Sequence, residues 1–213
     1  MRGRWAFLAL AVLLPCGAAA QVPVWEWWPE LDVYYTPAKH QRSMLELSSQ
    51  AEHEGTKHQA TVGLYQDYLW LPGGFARAGY RFTFSTRDAS YRESRLLAEA
   101  NITAWSSPTW RLISRLRGEL RDVNSEWSYR VRERLHFQRL SQATAGPRLE
   151  PYVTTEVYYD SRFNTLDRIA GRAGVEMHLS RVQKLDVYYA RQENSRSTPG
   201  AVNALGITLK LSY

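Results

Sequence analysis

The chain reads as an all-β protein: an antiparallel transmembrane β-barrel with short turns and a polar, arginine-rich lumen. Three observations predict this. The chain opens on an export leader, its remaining length divides into strand-sized segments that alternate apolar and polar, and its last strand ends on an aromatic. Side chains in a strand point alternately to opposite faces. Residues 205–213 therefore set Leu205, Ile207, Leu209, Leu211 and Tyr213 on one edge, the pattern of a barrel assembly signal. Gly206, Thr208, Lys210 and Ser212 form the opposite edge, small or polar as a wet lumen requires.

The leader comes first. Arg2 and Arg4 precede an apolar run over residues 5–14, then Pro15, Gly17 and three alanines, the layout of a secretory signal peptide cut after Ala20. The run is shorter than the roughly 20 residues of a membrane-spanning helix, so a chain that crosses a membrane must do so with strands. Residues 1–20 are thus expected to be removed, leaving residues 21–213 as one barrel domain in a bacterial (Gram-negative) outer membrane. Cys16 is the sole cysteine, so the mature chain has neither disulfides nor cysteine metal ligands. Pro15 spoils the lipidation box that Cys16 would otherwise suggest.

Net charge is +6, or +4 with Arg2 and Arg4 set aside. Basic proteins often bind nucleic acid, but an exported chain seldom meets it, and these arginines alternate with apolar residues instead of clustering. They read as facing inward from a membrane wall.

From Arg42 onward the chain parses into ten segments of roughly nine to fourteen residues. Turn chemistry separates them at residues 53–56, 71–74, 88–90, 106–108, 122–125, 141–148, 160–166, 180–182 and 193–201. The apolar faces are, in order, Ala60, Val62, Leu64 and Tyr68; Ala76, Ala78, Tyr80, Phe82 and Phe84; Leu96, Ala98, Ala100, Ile102 and Ala104; Trp110, Leu112, Leu116 and Leu120; Trp127, Tyr129, Val131, Leu135 and Phe137. Val153, Val157 and Tyr159 follow, then Ile169, Ala173, Val175, Met177 and Leu179, then Leu185, Val187 and Tyr189. A soluble barrel shows the same alternation with the apolar face inward. Strand number, strand length and aromatics beside the turns (Trp70 and Phe75, Trp105 and Trp110, Trp127 and Tyr129) favour the membrane form.

Glu133 fits poorly, because its parity puts a carboxylate on the apolar face near mid-strand. Strand number is the other open point. Ten strands from Arg42 leave both ends periplasmic, as bacterial barrels prefer. Residues 31–36 (LDVYYT) nearly repeat residues 185–190 (LDVYYA) and add an eleventh. Twelve is favoured, with the last strand supplied by residues 22–28 or by one segment that divides in two, because the mature length leaves about sixteen residues per strand and turn. Ten stays open.

Three segments together resemble a known family: the Arg130-Val131-Arg132-Glu133-Arg134 run, the PYVTTEVY stretch at residues 151–158, and the strand at residues 168–176 with Arg172 and Gly174. In this order, after a leader and a Trp-rich start, they are similar to the outer-membrane barrels catalogued as domain of unknown function 2490. That resemblance implies the fold and location and assigns no catalytic residue. Size and arginine content also make the chain similar in character to small monomeric channels for acidic oligosaccharides.

The candidate anion path is Arg111, Arg115, Arg117, Arg121, Arg130, Arg132, Arg134, Arg168 and Arg172, since rings of one charge bias what enters a pore. Glu93, Glu99, Glu119, Glu150, Glu156 and Glu176 share the lumenal parity. They are the candidate partners in Arg/Glu ladders that would instead plug a narrow barrel. The anion-favouring channel and the plugged structural barrel are the two principal readings. A third, lipid hydrolysis, rests on the His178-x-Ser180 spacing with Glu176 on the same face. That spacing resembles outer-membrane lipid A deacylases, yet its parity points to the lumen and not to lipid, so no catalytic residue is assigned. His40, His53, His58 and His136 show no metal-ligand spacing. Tyr152, Tyr158 and Tyr188 suggest a sugar-stacking track. No metal or cofactor is expected. The expected partners are the lipid bilayer, the barrel-assembly machinery and small anionic solutes, with the chain a monomer and no nucleic acid bound.

Overall fold

The computed structural model describes residues 22–53, 58–71, 73–87, 90–143 and 147–213. The proposed leader, Cys16 and parts of four expected turns lie outside the described residues. Among the described residues, eleven strands follow one another without a helix: β1 (Val24–Ala38), β2 (Gln41–Glu52), β3 (His58–Leu71), β4 (Gly74–Ser85), β5 (Arg92–Ser106), β6 (Trp110–Val123), β7 (Glu126–Arg139), β8 (Arg148–Asp160), β9 (Thr165–His178), β10 (Gln183–Asn194) and β11 (Ala201–Ser212). Each pairs with its neighbours in sequence, and β1 meets β11 to close the barrel. Closure removes the unpaired edges that an open sheet would leave.

Strand number is corrected by this arrangement. The ten strands counted from Arg42 are all present, and the repeat at residues 31–36 supplies one more, but residues 22–28 supply no twelfth. Val24 to Trp28 run straight on into residues 31–36 as a single 15-residue strand. No turn separates them because Pro29 continues in extended backbone, a conformation its fixed φ permits. Its missing N–H shows in the ladder to β2, where pairing passes from Trp27↔Ala51 to Glu30↔Ser48. An odd count also overturns the parity argument. β1 and β11 run parallel, in register from Val24↔Val202 to Tyr34↔Ser212, so the two chain ends leave from opposite rims.

The five expected turns that are fully described fall between strands as the sequence put them. Between β6 and β7, Asn124 and Ser125 both take positive φ, 51° and 73°, the twist a two-residue hairpin needs. In β8–β9 the register shifts between Tyr158 and Tyr159. This bulge turns Asp167 out of the alternation, and it becomes almost fully buried.

The outer face carries the expected apolar residues, with Leu64, Leu96, Leu116, Val153 and Ile207 all exposed. Aromatics collect toward both rims. Trp110 stacks on Phe137 at 4.8 Å, with Trp105 beside them, near the rim where β11 ends; Tyr129 lies 6.0 Å from Tyr159 near the other. Glu133 does face outward, with no bulge in β7 to turn it, and accepts a 2.7 Å hydrogen bond from the outward Ser114 hydroxyl of β6.

Inside, two small clusters interrupt the charge: Met44, Tyr65 and Leu97, and Tyr152, Tyr188, Ala190 and Ala204. Tyrosine rings lie flat over glycines of neighbouring strands. A Cβ on Gly206 would strike the Tyr188 ring, and one on Gly174 would sit 2.7 Å from the Tyr188 Cβ and 2.8 Å from the Tyr152 hydroxyl. Tyr65 covers Gly79 of β4 in the same way, and also Gly63 two residues before it on its own strand. Glycine here supplies room for a ring, which braces one strand against the next.

Candidate functional site

Alternation along β5 to β8 aims every second side chain into the lumen, and there the sequence supplies arginines on β6 and β7 and carboxylates on β5 and β8. Arg132 of β7 reaches Glu119 of β6 at 2.8 Å and Glu156 of β8 at 2.9 Å. Glu156 also accepts Arg115 and Arg134, each at 2.9 Å. Arg117 donates through Nε to Glu99 at 2.6 Å, and Arg115 lies 3.7 Å from the same carboxylate. Nearer the opposite rim, Asp160 gathers Arg121, Arg130 and Arg162 at 2.8 to 2.9 Å, while Glu93 pairs with Arg95 and Arg121. The result is one continuous web across four strands.

Two opposite charges 4 Å apart attract by about 4 kcal/mol at the effective dielectric usual in proteins, which desolvation largely offsets. The net gain from such a web is therefore modest. Removing one member is costly, because it strands the others without a partner.

Of the nine anion-path candidates, Arg115, Arg117, Arg121, Arg130, Arg132 and Arg134 are paired with carboxylates in this web. Among the described residues, Arg111, Arg168 and Arg172 have no carboxylate in contact: Arg111 donates to Gln138 at 2.7 Å, Arg168 to Asn194 at 2.7 Å, and Arg172 lies over the Tyr188 ring at 4.2 Å. Of the expected acidic partners, Glu93, Glu99, Glu119 and Glu156 belong to the web. Glu150 accepts from Gln138 at 2.8 Å, and Glu176 binds Lys184 at 3.0 Å and Lys210 at 2.7 Å.

His178 sits between Glu176, at 3.4 Å, and Glu150, at 3.5 Å. Ser180 makes no hydrogen bond to it; the serine hydroxyl accepts from the Val182 N–H. The spacing that suggested a nucleophile and base thus does not bring them together. Ligand atoms of Glu150, Glu176 and His178 lie within 4.8 Å of one another, but two lysine ammonium groups already occupy the Glu176 oxygens.

The three tyrosines are already engaged. The Tyr188 ring has glycines against it and the Arg172 guanidinium above it. Arg132, Arg168 and Arg130 lie 4.7 to 5.7 Å from the centre of the Tyr158 ring. Tyr152 packs on His136 at 4.8 Å and donates its hydroxyl to Asp186. This leaves them poor platforms for a stacked sugar and good struts.

Several lumenal residues went unnoticed in the sequence. Asp67 is fully buried between Arg42 and Arg77, each at 2.6 Å. It shares parity with Thr61 and Tyr65, so alternation alone would have placed it inside. Asp160 reads as a turn residue and proves a hub. Glu30, Asp32 and Glu46 belong to strands that start before or at the point where the regular count begins. A cavity of about 990 Å³ runs through the lumen among these groups.

Fold and lumen together define a closed β-barrel with an apolar outer face and a charged, braced interior. The chain belongs to the family described as Protein of unknown function (DUF2490), whose model matches residues 26–203, from near the start of β1 into β11. A comparison with curated proteins finds no match.

Proposed function

We propose that the protein is an outer-membrane β-barrel with a narrow lumen that admits small polar solutes along its less crowded side, from β9 round to β2. The observation that carries this reading is the double alternation: apolar side chains outside between two aromatic belts, charged and polar side chains inside. The export leader and the terminal strand agree with that location. Its outward Leu205, Ile207, Leu209, Leu211 and Tyr213 present the edge that barrel-assembly machinery would recognise. Lipid is the outer partner, and the closed wall needs no second copy.

The web across β5 to β8 narrows one side of the bore and pairs six of the nine candidate arginines with shared carboxylates, so unpaired positive charge is less than the sequence suggests. The plugged structural barrel is the second reading, favoured by that same web. Heat-modifiable gel mobility and outer-membrane fractionation test the barrel and its location. Planar-bilayer recording then separates the two readings: small, reproducible conductance with weak ion selectivity supports solute passage, and a silent bilayer supports the plug.

A further inference from the structure

Glu30 and Asp32 of β1 and Arg172 of β9 line the same lumenal cavity, and none of them has an oppositely charged group within 4.0 Å among the described residues. The contrast with Asp67, Glu99, Glu156 and Asp160, each held by at least two arginines, is sharp. Asp32 is only 4 % exposed, yet its Oδ1 has no hydrogen-bond partner, and its Oδ2 takes a 3.2 Å bond from Tyr34. Leaving a charge buried and unpaired is costly, so such a carboxyl either holds a proton or takes a cationic partner when one enters the cavity.

The topology explains why these groups do not satisfy one another. β10 and β11 lie between β9 and β1 around the wall, so the guanidinium and the carboxylates approach the cavity from separate positions. Arg172 is held over the Tyr188 ring and Lys210 is drawn to Glu176, so neither closes on β1. A fixed cation and a pair of carboxylates facing one cavity match a molecule with charges of both signs.

We infer that the lumen contains a binding site for a small zwitterion, its ammonium end between Glu30 and Asp32 and its anionic end on Arg172. The inference rests on the lumen being open to small solutes, and it names the chemistry that the open side selects. An ammonium group gives Asp32 Oδ1 its missing donor. A carboxylate or phosphate meets the guanidinium in a charge-assisted pair. One ligand gives both signs of charge a partner without rearranging the web opposite.

The test is isothermal titration calorimetry on the full barrel, folded in detergent micelles, with glycine, γ-aminobutyrate and ε-aminocaproate as probes and butylamine and butyrate as single-charge comparisons. Detergent binding needs no conductance, so a silent bilayer and a failed titration are separate results. At least one zwitterion should bind saturably and about tenfold tighter than either single-charge probe, a difference of about 1.4 kcal/mol. Glu30→Gln and Arg172→Gln, with folding checked by heat-modifiable mobility, should each weaken it by about the same factor. The wild-type comparison stands even if a variant does not fold. Absence of binding by all three zwitterions, butylamine binding as tightly as they do, or undiminished binding to folded Glu30→Gln would overturn the inference.

Discussion

Arg132 and Glu156 tie β7 to β8 through the lumen, the guanidinium donating to Oε1 from Nε at 3.1 Å and from Nη2 at 2.9 Å. The same carboxylate carries Arg115 and Arg134, so one acidic side chain is shared among three cations.

Glu156→Gln should therefore act on stability and on selectivity together. Loss of the shared anion leaves buried guanidinium groups under-paired and is expected to cost about 3 to 5 kcal/mol, measured by denaturant unfolding in detergent or lipid. In planar bilayers the variant's reversal potential should move toward anion preference. A variant as stable as wild type would mean that the web relaxes onto Glu99 and Glu119.

Gly206 should tolerate no side chain while Tyr188 is present. Gly206→Ala drives a methyl into the ring and should destabilise the barrel by about 1 to 3 kcal/mol. Tyr188→Ala combined with it should recover part of the loss, because the obstacle is gone. A double-mutant cycle on unfolding free energy checks this, and simple additivity would deny that the pair is coupled.

If the outer wall meets lipid as proposed, Glu133→Leu should stabilise the barrel in bilayers, by up to about 2 kcal/mol, since a mid-strand carboxylate facing lipid is unfavourable and the Ser114 hydroxyl satisfies only one of its oxygens. The gain should shrink in detergent solutions where water reaches that face. A loss of stability instead would show that the outward carboxylate has a favourable partner.

Cysteines at opposite rims should report opposite sides of the membrane. Val22, ahead of β1, and Arg181, in the turn between β9 and β10, are both exposed and lie at opposite ends of the wall. On intact cells a membrane-impermeant maleimide should label only one of Val22→Cys and Arg181→Cys, and the other only after permeabilisation. Labelling of both on intact cells would refute either the odd strand count or the membrane crossing.

Much of the fold was legible because a strand has a period of two and turns have a distinct chemistry. The outward Leu64, Leu96 and Leu116 and the inward Arg117, Arg132 and Glu156 all followed from parity. The strand count was not legible, because residues 22–28 and 31–36 read as separate strands although Pro29 between them sits within extended backbone, and because bacterial barrels prefer even numbers. Nor could parity pair the lumenal charges. Arg134 and Arg172 look alike in sequence, yet one meets a carboxylate and the other an aromatic ring, since partners are set by which strands become neighbours and by how far each side chain reaches. Asp167 escaped because a bulge breaks the alternation that would have located it.

The parallel junction of β1 with β11 also says something about time. Every other joint in the wall forms between strands adjacent in the chain, across a short turn, and so is cheap to nucleate. This one joins the two ends of the described chain, pays the largest loop-closure entropy, and uses the less stable of the two ladder patterns. On this argument the ten hairpin joints are expected to assemble first as a curling sheet, and the ring to close last, when the first strand meets the last one made.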